Sequence, residues 1–223
     1  MKDPLLDFLK ASLQTSSVDT NYLLFLRIPK NASSSIVRHL GNRNIVKKYE
    51  EKLEKSVDNN IYKNFFDPTH ARPHELLKVI SPLELDCFSF AVCRNPWDRV
   101  VSMYHFGRKL GLGNVFNLSN KLSFGEFCAT LKNREHDRSF LPAFKQIEWV
   151  NGGVEVNEVL RFENLRRDFS DMIRNYNIKN INCDLPHDNS TDHTPYKDYY
   201  NQETADMIYS IFEEDCDRFK YTF

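Results

Sequence analysis

The sequence predicts an α/β protein in which a parallel sheet is covered by helices. Two short apolar runs, residues 22–28 and 87–93, each end in a polar turn that leads into apolar residues at helical spacing. A third run, residues 154–161, alternates polar and apolar side chains and is also followed by a helical pattern. Strands that alternate with helices in this way are typical of an α/β layer fold with parallel strands.

The first apolar run is rich in aliphatic and aromatic residues and is stopped by Pro29, which predicts a buried strand. Apolar residues at helical spacing resume at Ile36. The first N–H groups of a helix have no intrahelical partner and lie at its positive end, so they bind anions. The residues expected to bind an anion here are Lys30, Asn31, Ala32, Ser33, Ser34 and Ser35. A serine-capped helix beside a solvated lysine accounts for the same pattern.

An ATP- or GTP-binding P-loop does not fit this segment. That motif requires G-x-x-x-x-G-K followed by Ser or Thr. No glycine lies between Tyr22 and Leu40, and Lys30 precedes the loop instead of ending it. The pattern therefore indicates an anion site of a different kind.

The second apolar run is closed by Arg94, at the strand end where open α/β sheets bind ligands. Asn95 suits a helix N-cap and Pro96 the first helical position. Arginine is a permanently charged, fork-shaped phosphate ligand, and Ser102 lies about two turns into the helix. A salt bridge at the strand end also accounts for Arg94, and Arg99 is expected to be a helix-surface or structural cation. Two separate anion sites favour a nucleotide phosphorylated at two positions.

Both segments resemble a known family. RIPKNASSS is similar to the 5′-phosphosulfate loop of sulfotransferases that use 3′-phosphoadenosine 5′-phosphosulfate (PAPS), and RNPWDRVVSMY is similar to their 3′-phosphate segment. Residues 160–169 and 195–223 resemble later parts of the same family. The resemblance runs from about Tyr22 onward, and it is to carbohydrate sulfotransferases, including the heparan sulfate 2-O and 6-O groups and small bacterial homologues.

The resemblance implies a three-layer, P-loop nucleotide-binding-like fold and assigns roles by position. Lys30 would contact the bridging oxygen between the sulfuryl group and the 5′-phosphate, and residues 31–35 would hold that phosphate. Arg94 and Ser102 would bind the 3′-phosphate. The sulfuryl donor would be PAPS, the product adenosine 3′,5′-bisphosphate, and no metal would be needed.

Sulfuryl transfer to a hydroxyl requires a base, and histidine titrates in the right range. His70 follows a Pro-Thr pair, and its H-A-x-x-x-E-L segment resembles the one that carries the base in the 6-O group. His70 is therefore the expected base, with a loop histidine bonded to nearby backbone as the alternative. His74 is expected to be structural. His187 and His193 flank a polar loop, a weak indication of proximity to the cofactor.

Composition narrows the remaining possibilities. A chain of 223 residues is expected to form a single domain spanning 1–223. The net charge of −1 argues against a general nucleic-acid surface. Five cysteines without a framework favour a reducing compartment, and the first residues form neither a signal peptide nor a membrane span. We therefore expect a cytoplasmic protein without stable membrane insertion. Neither C-x-x-C, H-E-x-x-H nor an EF-hand loop occurs.

Other segments are expected to frame the site. Residues 1–20 are predicted to form a short helix and a linker. Residues 41–86 are predicted to form an insert that carries His70, and residues 111–120 a loop beside the acceptor. Phe140 and Trp149 are expected either to pack in the core or to stack on a sugar ring. Arg161 and Glu163 are expected either to orient the residues that bind the phosphates or to form an internal salt bridge.

The sequence thus favours a PAPS-dependent O-sulfotransferase that acts on a small-molecule or oligosaccharide acceptor, with carbohydrate favoured by resemblance alone. Two alternatives stay open, an ATP-dependent kinase for a sugar or small molecule, and a non-catalytic nucleotide- or glycan-binding protein. A strict magnesium requirement would indicate the kinase, and a dispensable His70 the binding protein.

Overall fold

The computed structural model describes residues 22–56, 68–85, 87–109, 122–137, 140–154, 156–186 and 194–223. The strands in these ranges are β1 (Leu24–Leu26), β2 (Ser89–Cys93) and β3 (Glu158–Arg161). The helices in these ranges are α1 (Ser33–Leu40), α2 (Ile45–Lys48), α3 (Glu50–Ser56), α4 (Pro73–Leu76), α5 (Pro82–Leu85), α6 (Pro96–Lys109), α7 (Phe124–Asn133), α8 (Ile147–Val150), α9 (Leu165–Asn175) and α10 (Gln202–Phe219). The predicted helix and linker at 1–20, the loop at 111–120, His187 and His193 lie outside the described residues.

The strands form a parallel sheet in the order β1-β2-β3, which confirms the predicted fold class. Phe25 pairs with Phe90, and Ala91 pairs with Val159. All three strands are shorter than the apolar runs that predicted them. In β1 the Ile28 N–H bonds to Leu26 O, a local turn that takes the chain out of the ladder before Pro29. Leu23, Ile28 and Phe88 lie outside the ladder and are nevertheless buried in the core.

Helices cover both faces of the sheet, so the protein has three layers. One face packs against α1 and α9, in a cluster that includes Phe25, Phe90, Ile36 and Phe169. The other face packs against α6, α7 and α10, and its cluster includes Ala91 and Phe212. Alternate side chains of a strand point to opposite faces, so each strand contributes to both clusters. Burial of each large side chain stabilises the fold by roughly 1.5–3 kcal/mol.

Local capping sets where the helices begin. Ser123 and Glu126 form the capping box of α7, in which the Ser123 hydroxyl accepts from Glu126 N–H and Glu126 accepts in return. Asn95 caps α6 by accepting from Trp97 N–H at 3.0 Å. Asn201 caps α10 in the same way through Thr204 N–H. Each cap satisfies backbone donors that the first helical turn leaves without a carbonyl partner.

The charged segment 47–55 is not one continuous helix. It is split at Tyr49 into α2 and α3. Tyr49 and Leu53 are buried, while the ammonium groups of Lys48 and Lys52 lie 5.4 and 5.3 Å from the Tyr49 ring centroid. The aromatic side chain thus turns part of the segment toward the core. Among the described residues, no helix is both long and apolar enough to span a membrane.

Candidate active site

The three strands end at the same edge of the sheet, and the two predicted anion-binding segments follow them there. The loop after β1 is built from residues in unusual conformations. Lys30 has φ 70° and Ala32 has φ 57°, both in the left-handed region, with Asn31 between them. Alternation of this kind turns successive N–H groups toward one point and forms an anion-binding concavity. Left-handed non-glycine residues cost free energy, so their presence indicates a functional constraint.

The start of α1 continues this concavity. Ala32 is the N-cap residue and has no side chain able to accept from the first turn. Ser33 and Ser35 are buried, and Ser34 is exposed. The helix therefore begins without a side-chain cap, and its first N–H groups and its dipole lie where an anion would complete them.

Lys30 is a cation in an environment that disfavours its charge. Its ammonium nitrogen lies 3.9 Å from the centroid of the Phe106 ring. Burial, followed by repulsion from Arg94 and Lys109, lowers the pKa of Lys30 to about 8. A buried amine surrounded by other cations is stabilised by an incoming anion, which makes such a group a marker of a functional site.

Asn31, one of the residues expected to hold the 5′-phosphate, has its side chain bonded within the protein. Its buried side chain donates from Nδ2 to Val92 O and to Oε1 of Gln146, both at 2.6 Å. These bonds tie the loop to β2 and to the segment before α8. A phosphate contact by Asn31 is therefore left to its backbone N–H.

Arg94 follows β2 and reaches both segments. Its Nε donates to Asp98 at 2.8 Å, and its Nη1 donates to the carbonyl oxygen of Lys30 at 3.0 Å. Its guanidinium also lies 4.0 Å from the Phe162 ring centroid. The salt bridge anticipated as an alternative is thus present. It engages one of the five N–H donors of the guanidinium, and the Lys30 carbonyl engages a second.

Ser102 is buried on α6, two turns after Arg94. The start of α6 itself is already occupied by a carboxylate. Glu163 accepts from Asn95 N–H at 2.7 Å and from the Tyr221 hydroxyl at 2.9 Å. A ligand anion at the second site would therefore contact the Arg94 side chain and not the N-terminus of α6. These bonds place Glu163 beside Asn95, the residue that follows Arg94.

Arg161, predicted together with Glu163, is bonded elsewhere. Its Nη2 donates to Phe219 O at 2.5 Å, and its guanidinium lies 4.9 Å from the Tyr221 ring centroid. The contacts tie the end of β3 to the end of α10. Arg161 and Glu163 thus both hold the C-terminal segment against the sheet edge, through Tyr221.

His70 ends the 3₁₀ turn Pro68–His70 and is buried against the end of β1. Its Nδ1 lies 2.8 Å from the carbonyl oxygen of Arg27, three residues before Lys30. A carbonyl only accepts, so Nδ1 carries a proton, and in the neutral ring the lone pair that a base requires lies on Nε2. The backbone bond anticipated as an alternative is present, and it sets the tautomer that a base needs. The arrangement brings His70 and the Lys30 loop to one sheet edge.

A buried charge network holds the His70 segment in place. The Arg72 guanidinium pairs with Glu75 at 3.0 Å and with Glu148 at 3.2 Å, and it lies 4.6 Å from the Phe144 ring centroid. Arg72 thereby connects the start of α4 to α8. Because both carboxylates pair with one buried guanidinium, loss of Arg72 would leave two carboxylates without that partner.

Trp149 and Phe140 are core residues, and the option that either stacks on a sugar is wrong. Both side chains have no exposed surface. The Trp149 indole donates to the carbonyl oxygen of His70 at 3.0 Å. Trp149 therefore lies in the core and holds the backbone of His70, the predicted base.

Two residues that build the site were not predicted. Gln146 is completely buried, accepts from Asn31 Nδ2 and from Arg94 N–H, and donates to Arg94 O. Asp215, on α10, accepts from Gln146 N–H at 2.8 Å. A glutamine in an aromatic segment and an aspartate on an acidic helix carry no local motif, so the sequence offered no signal for either.

Arg99 was expected to be either a helix-surface cation or a structural one. Its side chain is buried, so it is a structural cation. Its Nε donates to Pro29 O at 3.2 Å and its Nη1 to Phe144 O at 3.0 Å. Burial lowers the pKa of Arg99 to about 10. Arg99 therefore braces the residue that precedes the Lys30 loop.

The family model described as the sulfotransferase family matches residues 15–222. No curated protein and no solved structure is significantly similar to the chain. Within the described residues, no cluster of three or more His, Cys, Asp or Glu side chains is arranged to hold a metal ion.

Proposed function

The chain belongs to the sulfotransferase family, and on that premise we propose that it transfers the sulfuryl group of PAPS to a hydroxyl of a carbohydrate acceptor. The observation that carries the proposal is the hydrogen bond from Arg94 Nη1 to Lys30 O. It joins two cationic segments at the carboxyl edge of a parallel sheet, where such folds bind nucleotides. A nucleotide with phosphates at its 3′ and 5′ positions has one group for each segment.

The first segment suits the 5′-phosphosulfate. The left-handed residues Lys30 and Ala32 orient backbone N–H groups, and α1 begins without a side-chain cap. Lys30 would contact the oxygen that bridges phosphate and sulfuryl group. The residues assigned to the 5′-phosphate are Asn31, Ala32, Ser33, Ser34 and Ser35, with Asn31 contributing through its backbone. An anion here also offsets the burial of the Lys30 ammonium, whose pKa is lowered to about 8 in the unliganded protein.

The second segment suits the 3′-phosphate. Arg94 presents a guanidinium that Asp98, Phe162 and the Lys30 carbonyl hold in one orientation. Ser102 would add its hydroxyl from α6. A fork-shaped, oriented guanidinium favours a phosphate oxygen pair over a single halide or a neutral group.

The donor supplies an activated sulfuryl group and a bisphosphate leaving group. His70 would accept the proton of the attacking hydroxyl at Nε2, because Nδ1 is held as a donor by Arg27 O. Lys30 and the N–H groups of its loop would stabilise the negative charge that builds on the bridging oxygen. The acceptor oxygen, sulfur and bridging oxygen would lie in line. The carbohydrate class is supported only by the resemblance of the His70 segment to the 6-O group.

The decisive experiment is calorimetric binding of adenosine 3′,5′-bisphosphate, compared with ADP and ATP, first without metal and then with magnesium. We expect tight binding of the bisphosphate in metal-free buffer and much weaker binding of ADP. Preference for ATP with magnesium would overturn the proposal in favour of a kinase. Radiolabelled PAPS with a panel of oligosaccharides, simple alcohols and tyrosine peptides then identifies the acceptor.

A further inference from the structure

The side chain of Gln146 touches both anion-binding segments at once. Its Nε2 donates to Arg94 O at 2.8 Å and its Oε1 accepts from Arg94 N–H at 3.0 Å, so the carboxamide pairs with both main-chain groups of that residue. The same Oε1 accepts from Asn31 Nδ2 at 2.6 Å. One amide group therefore connects the residue after Lys30 to the residue that carries the second anion site.

The backbone of Gln146 is held by Asp215, a residue of α10. Its backbone N–H donates to Oδ2 of Asp215 at 2.8 Å, and the next residue, Ile147, donates to Oδ1 at 2.9 Å. Asp215 has no exposed surface and belongs to α10. The carboxylate thus caps α8 and fixes the backbone of Gln146, so the position of its side chain follows from two rigid elements.

The Asn31 end of this connection is equally constrained. Asn31 Nδ2 also donates to Val92 O at 2.6 Å, inside β2. Asn31 and Gln146 are both buried, with 1% and 0% of their surfaces exposed. Hydrogen bonds between buried groups are costly to break, because the partners are left without water. The relative position of the two segments is therefore set by bonds that solvent does not replace.

We propose that Gln146 is a positioning residue that fixes the spacing between the two anion sites, and so selects nucleotides that carry phosphates at both the 3′ and 5′ positions. The inference rests on the proposed function. A ligand that must engage two sites gains from both only when their separation matches its own length. Preorganisation of that separation raises the affinity for the bisphosphate without a contact between Gln146 and the ligand.

The test compares two buried-amide variants, Gln146→Met and Asn44→Leu. Methionine keeps the length of glutamine and removes its donor and acceptor. Asn44 is also buried and accepts from Phe25 N–H at 3.4 Å and Val46 N–H at 3.3 Å, without bonding to either anion segment. Asn44→Leu shows the effect of losing a buried amide in general. Gln146→Met shows, in addition, the effect of losing the connection between the two segments.

Dissociation constants are measured for adenosine 3′,5′-bisphosphate, adenosine 5′-phosphate and adenosine 3′-phosphate, and thermal unfolding is recorded for each protein. We expect Gln146→Met to weaken bisphosphate binding about tenfold to a hundredfold and each monophosphate no more than about threefold. Asn44→Leu should lower thermal stability and leave all three dissociation constants unchanged. If Gln146→Met fails to fold, Gln146→Leu takes its place, since it also removes the donor to Arg94 O and the acceptor for Asn31 without adding a charge.

An equal loss for all three ligands, or no loss for any, would overturn the positioning role while the proposed function stands. Failure of the wild-type protein to bind the bisphosphate would overturn the proposed function and the positioning role together. The wild-type measurement therefore distinguishes the two failures before any variant is compared.

Discussion

Arg94 Nη1 donates to the carbonyl oxygen of Lys30 at 3.0 Å, so the cation proposed for one anion site holds the backbone of the segment proposed for the other. Lys30 adopts a left-handed conformation at that point. The bond thus stabilises a strained loop while it restrains the guanidinium. Changes at Arg94 are expected to reach the first site through this contact, and changes at Lys30 are not expected to reach the second site as strongly.

Replacement of Arg94 by alanine should weaken cofactor binding before it affects chemistry. The variant loses the guanidinium assigned to the 3′-phosphate, so binding of adenosine 3′,5′-bisphosphate should fall at least about tenfold. Binding of adenosine 5′-phosphate should fall by a smaller factor, because that ligand is affected only through the lost bond to Lys30 O. Calorimetry with both ligands checks this, and Arg94→Lys is the control that retains charge without the fork. Equal losses for the two ligands would place Arg94 outside the 3′-phosphate site.

The pH dependence of catalysis should report the titration of Lys30. Its pKa in the free protein is lowered to about 8, so the ammonium is charged below that pH and neutral above it. The kcat/KM for the sulfuryl donor reflects the free enzyme and should fall as pH rises through about 8. The kcat should hold to higher pH, because bound phosphate stabilises the ammonium and raises its pKa.

Lys30→Arg is the control for that profile. Arginine stays charged across the range, so the alkaline fall in kcat/KM should disappear even if the absolute rate is lower. The measurement is the ratio of kcat/KM at pH 9.5 to kcat/KM at pH 7, for the wild type and for Lys30→Arg. A low ratio in the wild type and a ratio near one in Lys30→Arg would assign the alkaline fall to Lys30. An unchanged alkaline limb in Lys30→Arg would assign the titration to a different group.

His70→Ala should lower turnover by roughly 10²- to 10⁴-fold, the range for loss of a general base. Binding of adenosine 3′,5′-bisphosphate should be nearly unchanged, because the residue is assigned to the acceptor and not to the donor. His74→Ala is the matched control, since His74 is exposed on α4 and should be dispensable. Single-turnover rates with PAPS and calorimetry measure the two properties. Turnover close to that of the wild type in His70→Ala would remove the residue from the mechanism.

Gly152→Ala should loosen the support of the His70 segment. A Cβ atom there would lie 2.7 Å from Glu148 O and 2.8 Å from Pro73 Cγ, so α8 or the start of α4 has to shift. We expect a loss of about 1–3 kcal/mol in the free energy of unfolding, the usual cost of overpacking, together with a lower kcat.

Gly125→Ala is the matched substitution, because a Cβ at that position of α7 meets nothing within 4 Å. It should raise the free energy of unfolding by up to about 1 kcal/mol, through the better helix propensity of alanine. Chemical denaturation of both variants measures the difference. Equal stabilities would show that the contact between Gly152 and Pro73 is not tightly packed.

The features that depend on neighbouring residues were predictable from the sequence. Ser123 with Glu126, Asn95 and Asn201 start their helices as local capping rules require. The apolar runs identified the strands and their parallel arrangement but overestimated their lengths. Hydrogen bonding to a neighbouring strand, which is not encoded by the run itself, decides where a ladder stops.

The features that depend on distant residues were not predictable. Gln146 and Asn31 are 115 positions apart, and Asp215 lies a further 69 positions from Gln146. The direction in which Asn31 points is also decided by Val92 O, not by its own loop. The sequence therefore named candidate residues for the site, whereas their orientation and the buried residues that hold them required the tertiary structure.

The bonds of Gln146 also bear on how the protein is made. Contacts between residues that are far apart in the sequence form late in folding, because closing a long loop costs entropy before the contact is gained. The proposed donor site is held in shape by the bonds of Asn31, Gln146 and Asp215, so its preorganised form is complete only after α10 has docked. During synthesis, the Lys30 loop would leave the ribosome long before Gln146 and Asp215, so we expect full affinity for the proposed nucleotide only after α10 has emerged.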